Sequence, residues 1–290
     1  MAFPWANTLL FLFIGAEMVS GLFGLLTGSQ DRAIYMQVHG VAGFGILAVL
    51  LWKGRVVLSS LRKPGAKRRS ATPRAASLAL SGVLAATLAL GLAWSFAGPF
   101  AFAWFSGLSW HIYVGAALAP VLAWHAVHLT RGFPVGFWAD RRSFLRLAGI
   151  GVAAVASWQV VEAAARVGGL SGAGRRFTGS YEAGSFSGNR FPRVSWLNDS
   201  PQPIDPAGWS LTVRGAVDRP LVIGYPAFGA LEPTTEITAT VDCTGGWHST
   251  QVWRGLLVSD LLALSGVKPS ARSVTVRSVT GYYRRFSTTE

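Results

Sequence analysis

The sequence predicts a multi-domain protein in which an all-α transmembrane bundle is followed by an α+β domain. Hydrophobic residues make up 51% of the chain and charged residues only 13%, and the mean hydropathy is +0.38. Such a composition is typical of membrane proteins. The apolar segments long enough to span a bilayer all lie before about residue 166, whereas the rest of the chain alternates short apolar runs with Gly and Pro. We therefore predict four membrane spans, a fifth anchor helix and a mixed domain.

Four apolar segments before residue 131 have roughly the 20 residues that a membrane-spanning helix needs. They cover residues 7–27, 33–52, 75–97 and 109–130. No Asp, Glu, Lys or Arg occurs from Ala75 to Thr130. Any one of the four apolar segments could be a buried helix of a soluble protein, but four such segments so close together favour a membrane domain. We assign this domain to residues 1–138.

A pair of arginines precedes the fifth apolar segment. The run Asp140-Arg-Arg-Ser-Phe-Leu-Arg146 comes directly before a Gly/Ala-rich helix, Leu147–Val161. It resembles the signal read by the twin-arginine (Tat) export machinery. The alternative is the basic cytoplasmic end of an ordinary membrane helix. We interpret residues 139–165 as a Tat-type signal and fifth transmembrane helix, so that the chain after about residue 166 functions outside the cytoplasm.

The positive charge of the chain lies in two loops of the predicted bundle. The loop after the second span carries basic residues and no acid: Lys53, Arg55, Arg62, Lys63, Lys67, Arg68, Arg69 and Arg74. The loop before the fifth span holds Arg131, Arg141, Arg142 and Arg146. Short basic loops remain cytoplasmic, which predicts a multi-pass protein of the bacterial cytoplasmic membrane with its C-terminal domain outside. The net charge of +13 then reflects membrane topology, and nucleic acid is not an expected partner.

The C-terminal region has the pattern of a mixed domain. Residues 166–189 are rich in Gly and Ser and predict a linker. Strands are predicted at residues 210–217, 221–225, 237–243 and 273–279, with Pro220, Pro226 and Pro233 between them. A helix is predicted from Leu256 to Ser265, with Gly266 as its stop. We expect residues 190–290 to form an α+β domain that is incomplete at its C-terminus.

Cys243, the single cysteine, ends the third predicted strand. Alternation along this strand places Ile237, Ala239, Val241 and Cys243 on one face. Gly245 and Gly246 follow, and glycines allow a ligand to approach the backbone closely. A thiolate suits a soft metal, whereas a buried core cysteine is equally compatible with this pattern.

The segments around this cysteine, Trp209–Pro220, Asp242–Trp247, Trp253–Gly255 and Val258–Leu262, resemble the catalytic domain of the sulfite oxidase family. The resemblance is to the bacterial, Tat-exported molybdopterin enzymes that are joined to a membrane cytochrome. It implies that Cys243 binds molybdenum, that Gly245 and Gly246 contact a molybdenum-molybdopterin cofactor, and that the substrate is a small oxo-anion or oxo-compound. His248 could contact a pterin phosphate or an anionic substrate, or be a loop histidine.

Four of the five histidines lie in predicted spans: His39, His111, His125 and His128. Polar side chains are costly there and by default indicate function. The 14-residue spacing from His111 to His125 corresponds to about 21 Å of helix and returns to nearly the same face. His39 and His111 have similar depths near the outer surface, so they are the best pair. The alternative is that these histidines only hold helices together.

Residues 7–130 resemble the four-helix membrane cytochromes b, in which two helices each supply two histidines to haem. The resemblance implies that His39 and His111 bind the iron of an outer haem b. The position expected for the inner ligand on the second helix falls on Trp52 or Lys53, which leaves His125 and His128 without a histidine partner. One haem is therefore favoured over two. Glu17, in the middle of the first span, could serve proton or quinone chemistry or bond to a neighbouring helix.

Two functions follow from these patterns. The first is a membrane-anchored molybdopterin-dependent oxidoreductase that performs two-electron oxygen-atom transfer outside the cytoplasm and relays electrons through haem b to or from quinone or another carrier. The second is a haem-binding electron-transfer subunit whose exported domain binds a partner without catalysis. Either protein would be embedded in the lipid bilayer.

The topology can be tested with a reporter fused after residue 190, which we expect to be active only outside the cytoplasm. Changing Arg141 and Arg142 to lysine should leave the reporter inside while the first four spans still insert, because the Tat machinery reads the arginine pair. Reporter activity measured in cells and in spheroplasts distinguishes the two sides. Normal export of the double variant would refute the signal.

Overall fold

The computed structural model describes residues 4–61, 71–129, 141–192, 202–233 and 235–288. Several basic residues used for the predicted orientation, Arg62 to Arg69 and Arg131, lie outside these ranges, as does Asp140. The chain forms two compact units. The first comprises residues 1–183 together with 242–248, and the second comprises residues 184–241 together with 249–290. The turn that follows Cys243 thus belongs to the helical unit.

Five long helices make up most of the first unit. They are α1 (Pro4–Leu26), α2 (Ile34–Leu61), α3 (Ala71–Leu92), α4 (Gly107–Leu129) and α5 (Arg141–Val167). A π-helical turn, Ala93–Ala97, continues α3, and two-residue strands, β1 (Ala101–Phe102) and β2 (Phe105–Ser106), form a small hairpin before α4. All five helices are long and apolar enough to cross a membrane.

The predicted order, a helical N-terminal region before a mixed helix-and-strand region, is confirmed. Several helix boundaries differ from the expected ones, and two of these differences bear on the predicted topology. Helix α2 continues to Leu61, beyond the predicted end at Trp52, because hydropathy falls at Lys53 while lysine and arginine remain good helix formers. Helix α5 begins at Arg141, so the arginine pair forms its first turn instead of preceding it.

The helices pack in neighbouring pairs and leave apolar side chains on the outside. Helix α1 packs on α2, α3 on α4, and α2 on α5. Ile46 and Val49 of α2 are almost completely buried in the core, together with Ile14 of α1. Leu51, by contrast, is 75% exposed. Apolar side chains on both the inside and the outside of a bundle are typical of helices surrounded by lipid.

The segment after α5 packs against the helices, unlike the predicted Gly/Ser-rich linker over residues 166–189. It contains a 3-10 turn, Ser171–Gly174, and strand β3, Tyr181–Glu182. The guanidinium of Arg175 donates to the Ser95 carbonyl at 2.8 Å and pairs with Glu162 of α5. A Cβ atom on Gly172 would overlap the Ser95 backbone. Glycine here allows close packing, which composition alone cannot distinguish from flexibility.

The remaining elements are short strands and two helices. Strand β4 (Ser210–Val213) pairs antiparallel with β5 (Leu221–Gly224), and β8 (Ser273–Arg277) with β9 (Tyr283–Ser287). Strands β6 (Thr235–Cys243) and β7 (Trp247–Gly255) are neighbours in a sheet whose third strand is β3, and the helices are α6 (Tyr225–Gly229) and α7 (Val258–Ser265). Helix α7 ends at Gly266 in the left-handed conformation, φ 67°, which agrees with the predicted stop.

Strands β7 and β9 were not predicted from the sequence. The inward positions of β7 are polar, because Ser249 and Gln251 are buried there. Gln251 satisfies its amide by donating to the Gly184 carbonyl at 2.6 Å and to the Ser249 hydroxyl at 2.8 Å. Buried polar residues that bond in this way remove the apolar alternation that identifies a strand. As a consequence, His248 lies in a strand and not in a loop.

Candidate functional site

The thiol of Cys243 lies at the end of β6, half-buried, where the chain turns toward β7. The backbone N–H of Gly245 donates to its Sγ at 3.3 Å, and the N–H of Gly246 donates to the Cys243 carbonyl at 2.9 Å. Burial raises the pKa of the Cys243 thiol; the Gly245 N–H opposes this shift and the Asp242 carboxylate adds to it. The free thiol is therefore protonated at neutral pH, and a metal that binds it must displace the proton.

The turn after Cys243 is seated on residues at the ends of α3 and α4. The Ser106 hydroxyl donates to the Gly245 carbonyl at 2.9 Å. Gly246 has φ 97°, and a Cβ atom there would lie 2.5 Å from the Trp94 ring and 3.3 Å from Leu108. Both the backbone conformation and the space thus require glycine. The side of Gly246 that a Cβ would occupy faces Trp94, and the contact of Gly245 and Gly246 with a cofactor stays a prediction.

Trp94 connects this turn to the segment that follows α5. Its side chain is buried, and its indole N–H donates to the Gly179 carbonyl at 2.8 Å. Its own carbonyl accepts the Tyr181 hydroxyl, and the two rings lie 5.1 Å apart. The Tyr181 N–H in turn donates to the Gly246 carbonyl at 3.0 Å. Trp94 lies in the π-helical turn, a feature that often occurs at functional sites.

A polar network surrounds the Cys243 turn. The Asp242 carboxylate accepts the Thr178 hydroxyl at 2.8 Å and pairs with Arg176 at 3.2 Å. The Ser180 hydroxyl lies 3.0 Å from Nδ1 of His248. Burial lowers the pKa of His248, and the positive charge of Arg176 lowers it further. The His248 ring is therefore neutral at pH 7.

His39 of α2 and His111 of α4 lie side by side, with ring centroids 5.9 Å apart and ring planes at 87°. Nδ1 of His111 is 2.9 Å from the Thr87 carbonyl, and Nδ1 of His39 is 3.0 Å from the Glu17 carbonyl. Carbonyl oxygens only accept hydrogen bonds, so we assign the ring hydrogen to Nδ1 in both histidines. The lone pair of each Nε2 is then available to a metal.

The surroundings of this pair fit two imidazoles that share one metal. Each ring lies against a glycine: a Cβ atom on Gly21 would be 3.1 Å from Cε1 of His39, and one on Gly91 would be 3.0 Å from Cε1 of His111. With metal–nitrogen bonds of about 2 Å, the ring centroids of two imidazoles on one metal lie at most about 6 Å apart. The separation of 5.9 Å agrees with this arrangement.

The histidine pair and the Cys243 turn lie at the same end of the helical unit. Leu108, which lies beside Gly246, is three residues before His111 on α4, or about 4.5 Å along a helix. Gly91, which lies beside His111, is likewise about one turn before Trp94. Leu108, which touches the Cys243 turn through Gly246, is therefore about one helical turn from His111 along α4.

His125 lies on α4, 14 residues beyond His111, and no contact with another histidine is seen among the residues that the structure describes. Its Nδ1 is buried without a hydrogen-bond partner among the described residues. Lys53 is within electrostatic range of the ring and donates to Asn7 at 2.7 Å. The side chain of His128 lies outside the described residues. No group of three or more His, Cys, Asp or Glu side chains suited to a metal occurs in the described part of the chain.

The sequence analysis did not identify several residues of these sites. Trp94, Ser106 and Tyr181 carry no motif, because they act through packing and single hydrogen bonds. The contact between Glu17 and His39 had a weak signal: Glu17, Ser20 and Gly21 are spaced by three and four residues, which places them on one face of α1.

Comparison with known proteins assigns the C-terminal region to a class. Residues 198–289, which include Cys243, match the family described as the oxidoreductase molybdopterin binding domain. The C-terminal region is thus similar to the molybdopterin binding domain of oxidoreductases. The chain is also 31% identical over 93 residues to the uncharacterized oxidoreductase YuiH of Bacillus subtilis strain 168. This match covers 32% of the chain and 46% of YuiH, so the chain spans less than half of that relative. No solved structure matches the chain.

The seating of the Cys243 turn can be tested by changing Gly246 to alanine. The added Cβ would collide with Trp94 and would require a strained positive φ, so we expect a loss of about 1–3 kcal/mol of stability and a lower thermal unfolding midpoint in detergent. Gly224→Ala is the matched control, because no atom lies within 4 Å of its Cβ position. Equal midpoints for the two variants would show that the turn is not held in this way.

Proposed function

We propose that this protein is a membrane-anchored, sulfite oxidase-like molybdopterin-dependent oxidoreductase that performs two-electron oxygen-atom transfer outside the cytoplasm and exchanges electrons with quinone through a b-type haem. The observation that carries the proposal is the position of Cys243. It lies within the region that matches the molybdopterin binding domain, on a turn packed against the end of the helical unit where His39 and His111 meet.

Cys243 would hold molybdenum through its thiolate. A molybdenum-pterin centre supplies oxygen-atom transfer when bound, whereas the protein binds, orients and tunes it. The N–H of Gly245, which points at the sulfur, would stabilise negative charge there. The Trp94 and Tyr181 contacts would fix the turn, so that the sulfur keeps one orientation. The substrate class that accords with the resemblance is a small oxo-anion or oxo-compound.

His39 and His111 would bind the iron of one haem b through Nε2. A bis-histidine haem supplies one-electron transfer, which connects a two-electron reaction to single-electron steps. Hydrogen bonds from both Nδ1 atoms to fixed carbonyls hold the rings in place, as second-shell partners of metal ligands do. Because His125 has Lys53 in its vicinity instead of a second histidine, we propose a single haem.

The proposed orientation places the histidine pair and the Cys243 turn on the outer side of the bacterial cytoplasmic membrane. Lys53 and Arg55 lie beyond His39 toward the other end of α2, where basic residues favour the cytoplasm. The hydrogen bond from Lys53 to Asn7 ties the beginning of α1 to the same end. The N-terminus would then be inside, and the matched C-terminal region would function outside.

Metal content of the full-length protein tests this function. We expect stoichiometric molybdenum and a low-spin b-type spectrum, since two imidazole ligands would give a strong field at the iron. Cys243→Ser should lose catalysis and keep the haem, because it removes only the thiolate that would bind molybdenum. His39→Ala or His111→Ala should lose the haem spectrum, whereas His128→Ala, the matched control, should keep it.

Two outcomes would contradict the proposal. Haem without molybdenum in the wild-type protein would favour the alternative, an electron-transfer subunit whose exported domain only binds a partner. A haem spectrum that survives His111→Ala but not His125→Ala would show that the iron is bound by a different pair.

A further inference from the structure

The carboxylate of Glu17, on α1, contacts His39 of the histidine pair. Its Oε2 lies 2.5 Å from Nδ1 of His39, and its side chain is only 16% exposed. On the other side, a Cβ atom on Gly43 of α2 would lie 2.7 Å from Oε1. A carboxylate in the middle of a membrane span is costly, and here the two helices are shaped around it.

The hydrogen-bond pattern fixes the direction of this contact. Nδ1 of His39 is also 3.0 Å from the Glu17 backbone carbonyl, which can only accept. The ring hydrogen is therefore on Nδ1, and the carboxylate oxygen is its acceptor. The Ser20 hydroxyl, 3.4 Å from the same nitrogen, lies 2.5 Å from the Ala16 carbonyl and donates to it. Glu17 is thus the closest acceptor of the His39 ring.

The two histidines differ in this respect. Nδ1 of His111 lies 2.9 Å from a neutral backbone carbonyl, that of Thr87, whereas Nδ1 of His39 lies against a carboxylate. A carboxylate that accepts the outer N–H of a ligating histidine raises the basicity of its metal-binding nitrogen. In the low-dielectric interior of a bundle this effect is stronger than in water. Nε2 of His39 is therefore the stronger electron donor to a metal of the two histidine nitrogens.

We propose that Glu17 is a positioning residue that acts through His39 to lower the reduction potential of the haem. A stronger donor stabilises ferric over ferrous iron, and the negative carboxylate close to the iron works in the same direction. The electron gained on reduction stays on the haem, and no proton is transferred. The inference rests on the proposed function, because it requires haem iron at His39 and His111.

An equilibrium redox titration of the haem band in the full-length protein tests the role of Glu17. Glu17→Gln keeps the shape and an acceptor oxygen but removes the charge. At a fixed ambient potential we expect the ferric-to-ferrous ratio to fall about tenfold, which corresponds to about 59 mV for a one-electron couple. The low-spin ferric electron paramagnetic resonance (EPR) g values should change as well. Ser20→Ala, which removes the more distant hydroxyl, is the matched control and should move the ratio far less.

The outcomes separate this inference from the proposed function. An unchanged potential in haem-loaded Glu17→Gln would overturn the inference and leave the function intact. If Glu17→Gln fails to accumulate with haem, Glu17→Asp replaces it: its carboxylate is one methylene farther from His39, so the ratio should fall by a smaller factor, and no change would again overturn the inference. A wild-type protein without haem, or His39→Ala protein that retains it, would instead refute the proposed function.

Discussion

The packing of the Cys243 turn against Trp94 is the contact on which the arrangement of this protein depends. Trp94 is presented by a π-helical turn at the end of α3, and it can approach the turn only because Gly246 has no side chain. Hydrogen bonds from Ser106 and Tyr181 then fix the two carbonyls of Gly245 and Gly246. This contact joins the turn after Cys243, within the region that matches the molybdopterin binding domain, to a bundle of apolar helices, and residues 242–248 are part of the helical unit.

The packing of the same helices positions the histidine pair. Helices α3 and α4 pack on each other, and Trp94 and Leu108 at their ends contact Gly246 of the Cys243 turn. His111 is about one turn farther along α4 than Leu108. Helices α1 and α2 supply the other half, with His39 held between the backbone and the carboxylate of Glu17. Small residues recur at each contact, since Gly21, Gly43 and Gly91 leave room for the rings and the carboxylate. Close packing and fixed tautomers thus create a pair of ring nitrogens suited to a redox metal.

The features predicted from the sequence are those that depend on hydrophobic periodicity and segment length. The features that depend on individual side-chain contacts were missed. The apolar helices, strand β6 ending at Cys243 and the helix stop at Gly266 follow from hydropathy and glycine chemistry. Counting residues from the membrane surface also placed His39 and His111 in the outer part of the bundle as the best pair, and in the structure their rings lie 5.9 Å apart. Strand β7 was missed because its buried residues are polar, and residues 166–189 were interpreted as a linker because glycines that pack closely have the same composition as flexible ones.

The most direct test of the account is the electron spin relaxation of Mo(V) in the full-length protein, measured with the haem ferric and with the haem ferrous. A paramagnetic ferric haem shortens the relaxation time of a nearby spin, and His111→Ala protein without haem serves as the reference. If the Cys243 turn and the His39–His111 pair lie at the same end of the helical unit, Mo(V) should relax markedly faster when the haem is ferric. Identical relaxation in the ferric, ferrous and haem-free forms would contradict the account, because the Cys243 turn and the histidine pair would then lie too far apart to form one electron-transfer unit.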